Sequence, residues 1–252
     1  MAEPEELHAV YPSLRGKRVL VTGGASGIGA GIVEAFAGQD SDVTFIDVLG
    51  GESEQFAGKT NARFARADLK DTKGSTAVIR KLVDEDGPFD VLVNNAANDD
   101  RHKFDEVTEE YWDDRLAVNL KHQFFCAQAV VPGMRAVGGG SIVNLGSISW
   151  HLALPDLVLY QTCKAAIEGL TRALARDLGR DNIRVNCVVP GNIRTPRQLQ
   201  WYTPEAEAAL VEAQCIGRRL QPKDVAALVT FLASDDARGM TGHEYFVDAG
   251  WR

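Results

Sequence analysis

Thr22-Gly23-Gly24-Ala25-Ser26-Gly27-Ile28-Gly29 lies between an apolar, β-branched run over 18–22 and a stretch with helical periodicity over 27–37. Its glycines let the backbone turn tightly and approach a ligand, and the helix that follows turns unpaired N–H donors and a positive dipole end toward a pyrophosphate. The spacing is G-x-x-x-G-x-G, which departs from the commonest dinucleotide fingerprint, G-x-G-x-x-G. A glycine-rich turn alone fits a purely structural role equally well. Its place between a strand and a helix favours the phosphate-binding role.

Outward from this loop the same alternation repeats to the end of the chain. Strand-like runs occupy 18–22, 42–47, 62–67, 90–94, 141–145, 184–189 and 244–247, most of them short and apolar, as in strands covered on both faces. Between them, 27–37, 108–134, 159–178 and 222–233 carry helical periodicity; Ile28, Ile32 and Phe36 form one apolar stripe. Strands alternating with crossover helices predict an α/β fold, a Rossmann-type doubly wound domain with a seven-stranded parallel sheet. No break marks a second domain, so residues 1–252 form one cofactor-binding catalytic unit. The proline-punctuated stretch 193–215 is the expected substrate lid.

Composition narrows the function classes. The 252 residues include 27 Lys and Arg against 35 Asp and Glu, a formal net charge of -8, with no basic block; this argues against an electrostatic nucleic-acid binder. The longest stretch without charge, 136–155, contains three consecutive glycines and several polar residues, and does not read as a membrane span. The acidic N-terminal sequence lacks the pattern of a secretory signal, and a cytoplasmic location is expected. Cys126, Cys163, Cys187 and Cys215 are widely spaced and read as small buried hydrophobes. His102 and His151 lack a third partner at workable spacing, so no metal site is expected.

Two further places carry chemistry. Asp47 ends the second strand, eighteen residues beyond Gly29, where a carboxylate accepts hydrogen bonds from both ribose hydroxyls and repels a 2′-phosphate; NAD is expected over NADP. Tyr160 and Lys164, four residues apart, stack on one helix face that continues through Ile167 and Thr171. Ser147, thirteen residues before the tyrosine, stands at the carboxyl end of the fifth strand, where open α/β sheets bind ligands. A phenol with a pKa of about 10 needs roughly 3 units of stabilisation, about 4 kcal/mol, to act as a base near neutrality. A neighbouring ammonium and an oxidised nicotinamide are the expected sources.

These residues resemble the short-chain dehydrogenase/reductase family. The likeness runs along the chain, through the loop 22–29, Asp68, Asn94-Asn95-Ala96-Ala97, Asn119, the Ser147/Tyr160/Lys164 set, Pro190-Gly191 and Thr195. It implies that Ser147 positions the substrate oxygen, Tyr160 exchanges its proton, Lys164 binds the nicotinamide ribose and lowers the tyrosine pKa, and Asn119 anchors a proton-relay water. For the cofactor it implies Gly23, Ser26, Gly27, Ile28, Gly29 and Asp47, with Asp68 and Leu69 beside the adenine, Asn95 at the ribose, and Pro190, Ile193 and Thr195 toward the carboxamide. One position departs from the pattern: the glycine expected in the Asn-Asn-Ala motif is Ala97. Its methyl is expected to narrow the cleft without removing a polar group.

Within the family, 98–102, 147–151, 201–205, 241–245 and 248–252 resemble the bacterial NAD-dependent aldose 1-dehydrogenases of the D-xylose type. That likeness implies oxidation of a free aldose at C1 to the lactone, with a pentose such as D-xylose or L-arabinose, or a hexose such as D-galactose, as substrate. It also implies a homotetramer packed through the helices at 108–134 and 159–178. The residue types agree with a polyol: Asn98, Ser147, Ser149, His151, Tyr160, Gln161 and Asn192 offer donors and acceptors, and Trp201 offers a face for a sugar ring. Each also has a structural alternative as a turn cap, solvent-facing amide or core ring. A dehydrogenase of another polyol or secondary alcohol, a reductase of acyl-carrier ketones or steroids, and a non-catalytic NAD-sensing protein are the competing functions.

Overall fold

The computed structural model describes residues 9–200 and 202–251. The seven expected strands form one parallel sheet: β1 (Arg18–Thr22), β2 (Asp42–Asp47), β3 (Arg63–Arg66), β4 (Val91–Asn94), β5 (Gly140–Leu145), β6 (Ile183–Pro190) and β7 (Glu244–Val247). Their order is β3-β2-β1-β4-β5-β6-β7, so the winding reverses between β1 and β4. Ligands of open α/β sheets bind at the carboxyl ends on either side of such a reversal. The Thr22 hydroxyl joins the two strands there, accepting from the amides of Asn95 at 3.0 Å and Ala96 at 3.1 Å.

Alternation along the strands divides the core into two layers. Val19, Val21, Phe45, Val93 and Val143 pack with Ile32, Val33 and Phe36 of α1 (Gly27–Ala37); Leu20, Ile46, Leu92 and Ile142 face the other way. Next in order come α2 (Gly51–Thr60), α3 (Thr72–Asp86), α4 (Glu109–Leu116), α5 (His122–Ala136), α6 (Val158–Leu178), α7 (Pro196–Leu199), α8 (Pro204–Glu212) and α9 (Pro222–Ala233). α9 covers the α1 face, with Val225, Val229 and Leu232 in that layer. Ile79 of α3, Val130 and Met134 of α5, and Leu178 of α6 close the opposite face.

The helix expected over 108–134 is divided. A π-helical turn, Ala117–Lys121, separates α4 from α5 and contains the buried Asn119. The stretch 193–215 holds two short helices, each opened by a threonine whose hydroxyl accepts from the first turn, Thr195 from Gln198 N at 3.3 Å and Thr203 from Ala206 N at 3.3 Å. Cys126, Cys163 and Cys187 are buried as expected, but Cys215 is exposed, because it lies on the surface segment between α8 and α9.

Candidate active site

A cleft of about 620 Å³ runs across the carboxyl ends of the strands, a size suited to a small-molecule or cofactor site. Gly23, Ser26, Gly27, Ile28 and Gly29 line one end, and Asp47, Asp68 and Leu69 close it. Gly23 and Gly27 have positive φ, 66° and 56°. A Cβ at Gly29 would overlap the Gly23 carbonyl oxygen and stand 2.6 Å from Asn95 Nδ2, so the turn closes only around glycine. Asp47 is oriented by its surroundings: Oδ2 accepts from Ala25 N at 3.1 Å and Oδ1 from Val48 N at 2.8 Å. Open backbone at a helix N-terminus, beside a fixed carboxylate, fits a dinucleotide.

Asn95 lines the same cleft, but its amide nitrogen is engaged by the carbonyls of Thr22 at 3.0 Å and Gly23 at 2.9 Å. It shapes the glycine turn, and only its amide oxygen is left for a ribose. Pro190, Ile193 and Thr195 also line the cleft, Thr195 against Gly27.

Ser147, Tyr160 and Lys164 meet on the cleft floor. The serine follows β5, and the other two face inward from the first turns of α6. Lys164 is 1% exposed; its ammonium donates to the Leu145 carbonyl at 2.7 Å and stands 5.4 Å from the centroid of the Tyr160 ring. Burial lowers Lys164 to about 8. The Ser147 hydroxyl lies 3.0 Å from that of Ser149 and accepts from the Ser149 amide at 3.2 Å. Burial pushes the Tyr160 phenol well above its ordinary value and Asp99 pushes it further, while the Ser147 hydroxyl and the Arg197 guanidinium pull it back down. A base here depends on positive charge supplied around it. The neighbouring thiol of Cys163 is raised to about 11 by burial, which leaves it a packing residue rather than a nucleophile.

Asn119 sits behind this floor rather than in the cleft lining. Its Oδ1 accepts from Asn98 N at 2.8 Å, and its Nδ2 donates to the carbonyls of Asn98 and Arg115, each at 3.0 Å. The side chain is therefore spent on the loop after β4; a relay water would have to use its main chain. Next to it, His122 is buried and makes a 3.0 Å hydrogen bond between Nε2 and the Ala96 carbonyl oxygen.

Of the residues proposed to face a substrate, Asn98, Ser149 and Asn192 line the cleft, whereas His151 and Gln161 do not. His151 Nε2 lies 3.1 Å from Glu168 Oε1, and its ring packs on Trp150 and Phe246. Gln161 Nε2 donates to the Leu154 carbonyl at 2.6 Å. Trp201 lies outside the described residues. Sequence reasoning did not assign Asp99, Arg101, Arg197, Gln198 and Tyr202, which complete the polar wall. The Tyr202 hydroxyl accepts from Asn192 Nδ2 at 2.6 Å, and Arg219 Nη2 donates to Asn192 Oδ1 at 2.8 Å.

A family model described as "Enoyl-(Acyl carrier protein) reductase" matches residues 23–252. The chain belongs to the short-chain dehydrogenase/reductase family. This assignment, with the site above, makes it an oxidoreductase that uses a nicotinamide dinucleotide. Among family members, it is 57% identical over 249 residues to D-xylose 1-dehydrogenase of Caulobacter vibrioides, covering 97% of this chain and 99% of that protein. It is 47% identical over 247 residues to a Rhizobium meliloti protein named "Probable galactose dehydrogenase GalD", covering 95% and 96% of the two chains. Of the solved structures, a blue fluorescent protein from a metagenomic library, in complex with NADPH, superposes with a TM-score of 0.88 at 33% identity, over 95% of this chain and 99% of that one.

Proposed function

We propose that the protein is an NAD-dependent aldose 1-dehydrogenase that oxidises the C1 hydroxyl of a free pentose or hexose to the aldonolactone. The observation that carries this reading is the wall facing Ser147 and Tyr160: Asn98, Ser149, Asn192, Gln198 and Tyr202 offer a polyol several donors and acceptors. The relatives named for xylose and galactose support the same substrate class.

When bound, NAD supplies the hydride acceptor. Ser147 hydrogen-bonds the C1 oxygen and holds it against Tyr160, which takes the hydroxyl proton as a general base. Lys164, held by the Leu145 carbonyl, contributes the fixed positive charge behind the tyrosine. Asp47 would hold the ribose hydroxyls of a bound NAD and oppose a 2′-phosphate. Asn119, through Asn98, holds the loop after β4 in place.

Trp112, Phe124 and Val158 are exposed on α4, α5 and α6 and support a homotetramer packed through those helices, tested by light scattering. Among the described residues no helix is long and apolar enough to cross a membrane, and the reading is of a cytoplasmic enzyme. Product analysis tests the reaction. Incubation with NAD and D-xylose or D-galactose is expected to yield the corresponding lactone; a ketoaldose, the dicarbonyl product of oxidising a secondary hydroxyl, would place the oxidation at another carbon and contradict it.

A further inference from the structure

One side chain ties the two banks of the cleft together. Arg197 of α7 reaches the loop after β4, where its Nε donates to Asp99 Oδ1 at 2.7 Å, and its Nη2 to Asp100 Oδ1 at 2.6 Å and Asn98 Oδ1 at 3.3 Å. Gln198 Nε2 adds a bond to Asp99 Oδ2 at 3.0 Å. The loop is held from behind as well: Arg115 Nη1 donates to Asp100 Oδ2 at 3.1 Å, and Asn119 brackets the backbone of Asn98. The bonds thus run without a gap from the lid to the buried π-helical turn.

We propose that this clasp is a catalytic latch, with Arg197 a positioning residue whose engagement with Asp99 and Asp100 readies Tyr160 to take the substrate proton. The proposal rests on the dehydrogenase reading above and adds the control of its base. The charged and polar groups that act on Tyr160 are Lys164 and Cys163 on its own helix, Ser147 after β5, Asp99 after β4 and Arg197 on α7. Asp99 opposes the phenolate and Arg197 favours it. With the clasp closed, the two charges offset one another. With the lid withdrawn, Arg197 leaves and Asp99 stays, so the phenol keeps its proton until the cleft is covered.

The side chains of Arg197, Asp99 and Asp100 are 47%, 28% and 48% exposed. Pairs this exposed are individually weak, so the clasp can open on each turnover while three acceptors make its closure specific. A lid that both excludes water and completes the base is a known form of gating.

The test compares wild type with Arg197→Met, Arg197→Lys and Asp99→Asn. The readouts are the pH dependence of kcat for aldose oxidation, cofactor affinity by NADH fluorescence, and amide hydrogen exchange at 98–100. In Arg197→Met the midpoint of the alkaline rise is expected to move up by about half a pH unit, lowering kcat below the midpoint about threefold, with cofactor affinity unchanged. Asp99→Asn is expected to move the midpoint down, and Arg197→Lys to restore part of the wild-type profile. Exchange at 98–100 is expected to quicken in Arg197→Met while β1 stays protected. Midpoints unchanged in both charge-removing variants, or unchanged exchange in Arg197→Met, would overturn the latch. A wild type without aldose turnover would contradict the dehydrogenase reading instead, and the exchange arm would still judge the clasp.

Discussion

The amide of Ala25 donates to the Asp47 carboxylate at 3.1 Å, tying the glycine turn to the end of β2. One carboxylate thereby orients the loop and lines the cleft. In the proposed reading, replacing it with alanine removes both the ribose acceptor and the charge that opposes a 2′-phosphate. Asp47→Ala is expected to lower the NAD-to-NADP ratio of kcat/KM at least tenfold, about 1.4 kcal/mol. Steady-state kinetics with both cofactors checks this; an unchanged ratio would remove Asp47 from cofactor choice.

Gly29 tests the cradle sterically. A methyl at this position meets the Gly23 carbonyl oxygen and Asn95 Nδ2. Gly29→Ala is expected to destabilise the fold by about 1–3 kcal/mol, as overpacking does, and to weaken cofactor binding at least tenfold. Urea unfolding and NADH fluorescence titration measure the two effects separately.

Tyr160→Phe removes one oxygen and preserves the ring. kcat is expected to fall by about 10²–10⁴, the usual contribution of general acid–base catalysis, with cofactor affinity within a few-fold of wild type. Lys164→Ala is expected to impair both turnover and cofactor binding, because the proposed mechanism gives both tasks to the ammonium held at the Leu145 carbonyl. Titrations with NADH distinguish the two variants.

His122 gives a pH dependence with a defined sign. Burial, reinforced by the nearby Lys164, lowers it from 6.5 to about 4, so between these values the unfolded chain binds a proton that the folded protein does not. Stability therefore rises with pH across this window and is lost as pH falls through it. On going from pH 7 to pH 4.5, wild type is expected to lose about 2 kcal/mol more than His122→Gln. Urea unfolding at both pH values decides it; parallel losses would show that His122 is not the titrating group.

The strand and helix pattern, the glycine turn, and the Ser147/Tyr160/Lys164 set were legible because each is local: a period of two or 3.6 residues, or a spacing within one element. The misplaced residues fail for a geometric reason. Gln161 is adjacent to Tyr160 on a helix, about 100° around its axis, and turns to the Leu154 carbonyl instead of the cleft. His151 lies in a segment whose path bends at Ala153 and Asp156, both with positive φ, and its ring ends against Glu168. Arg197 was not legible, because its acceptors on the loop after β4 are remote in sequence and meet it only across the carboxyl edge of the sheet. The carboxylate of Asp99 and the buried amide of Asn119 carry no local signal that marks them as parts of one network.

The most direct test of the account is NADH or NADPH formation by the purified protein over D-xylose, L-arabinose, D-galactose, D-glucose and L-fucose, with NAD or NADP respectively and with Tyr160→Phe as the blank. The account predicts turnover of at least one aldose with NAD, much slower turnover with NADP, and none above background in the variant. NADH formation from none of the sugars, or equal rates in Tyr160→Phe, would contradict it.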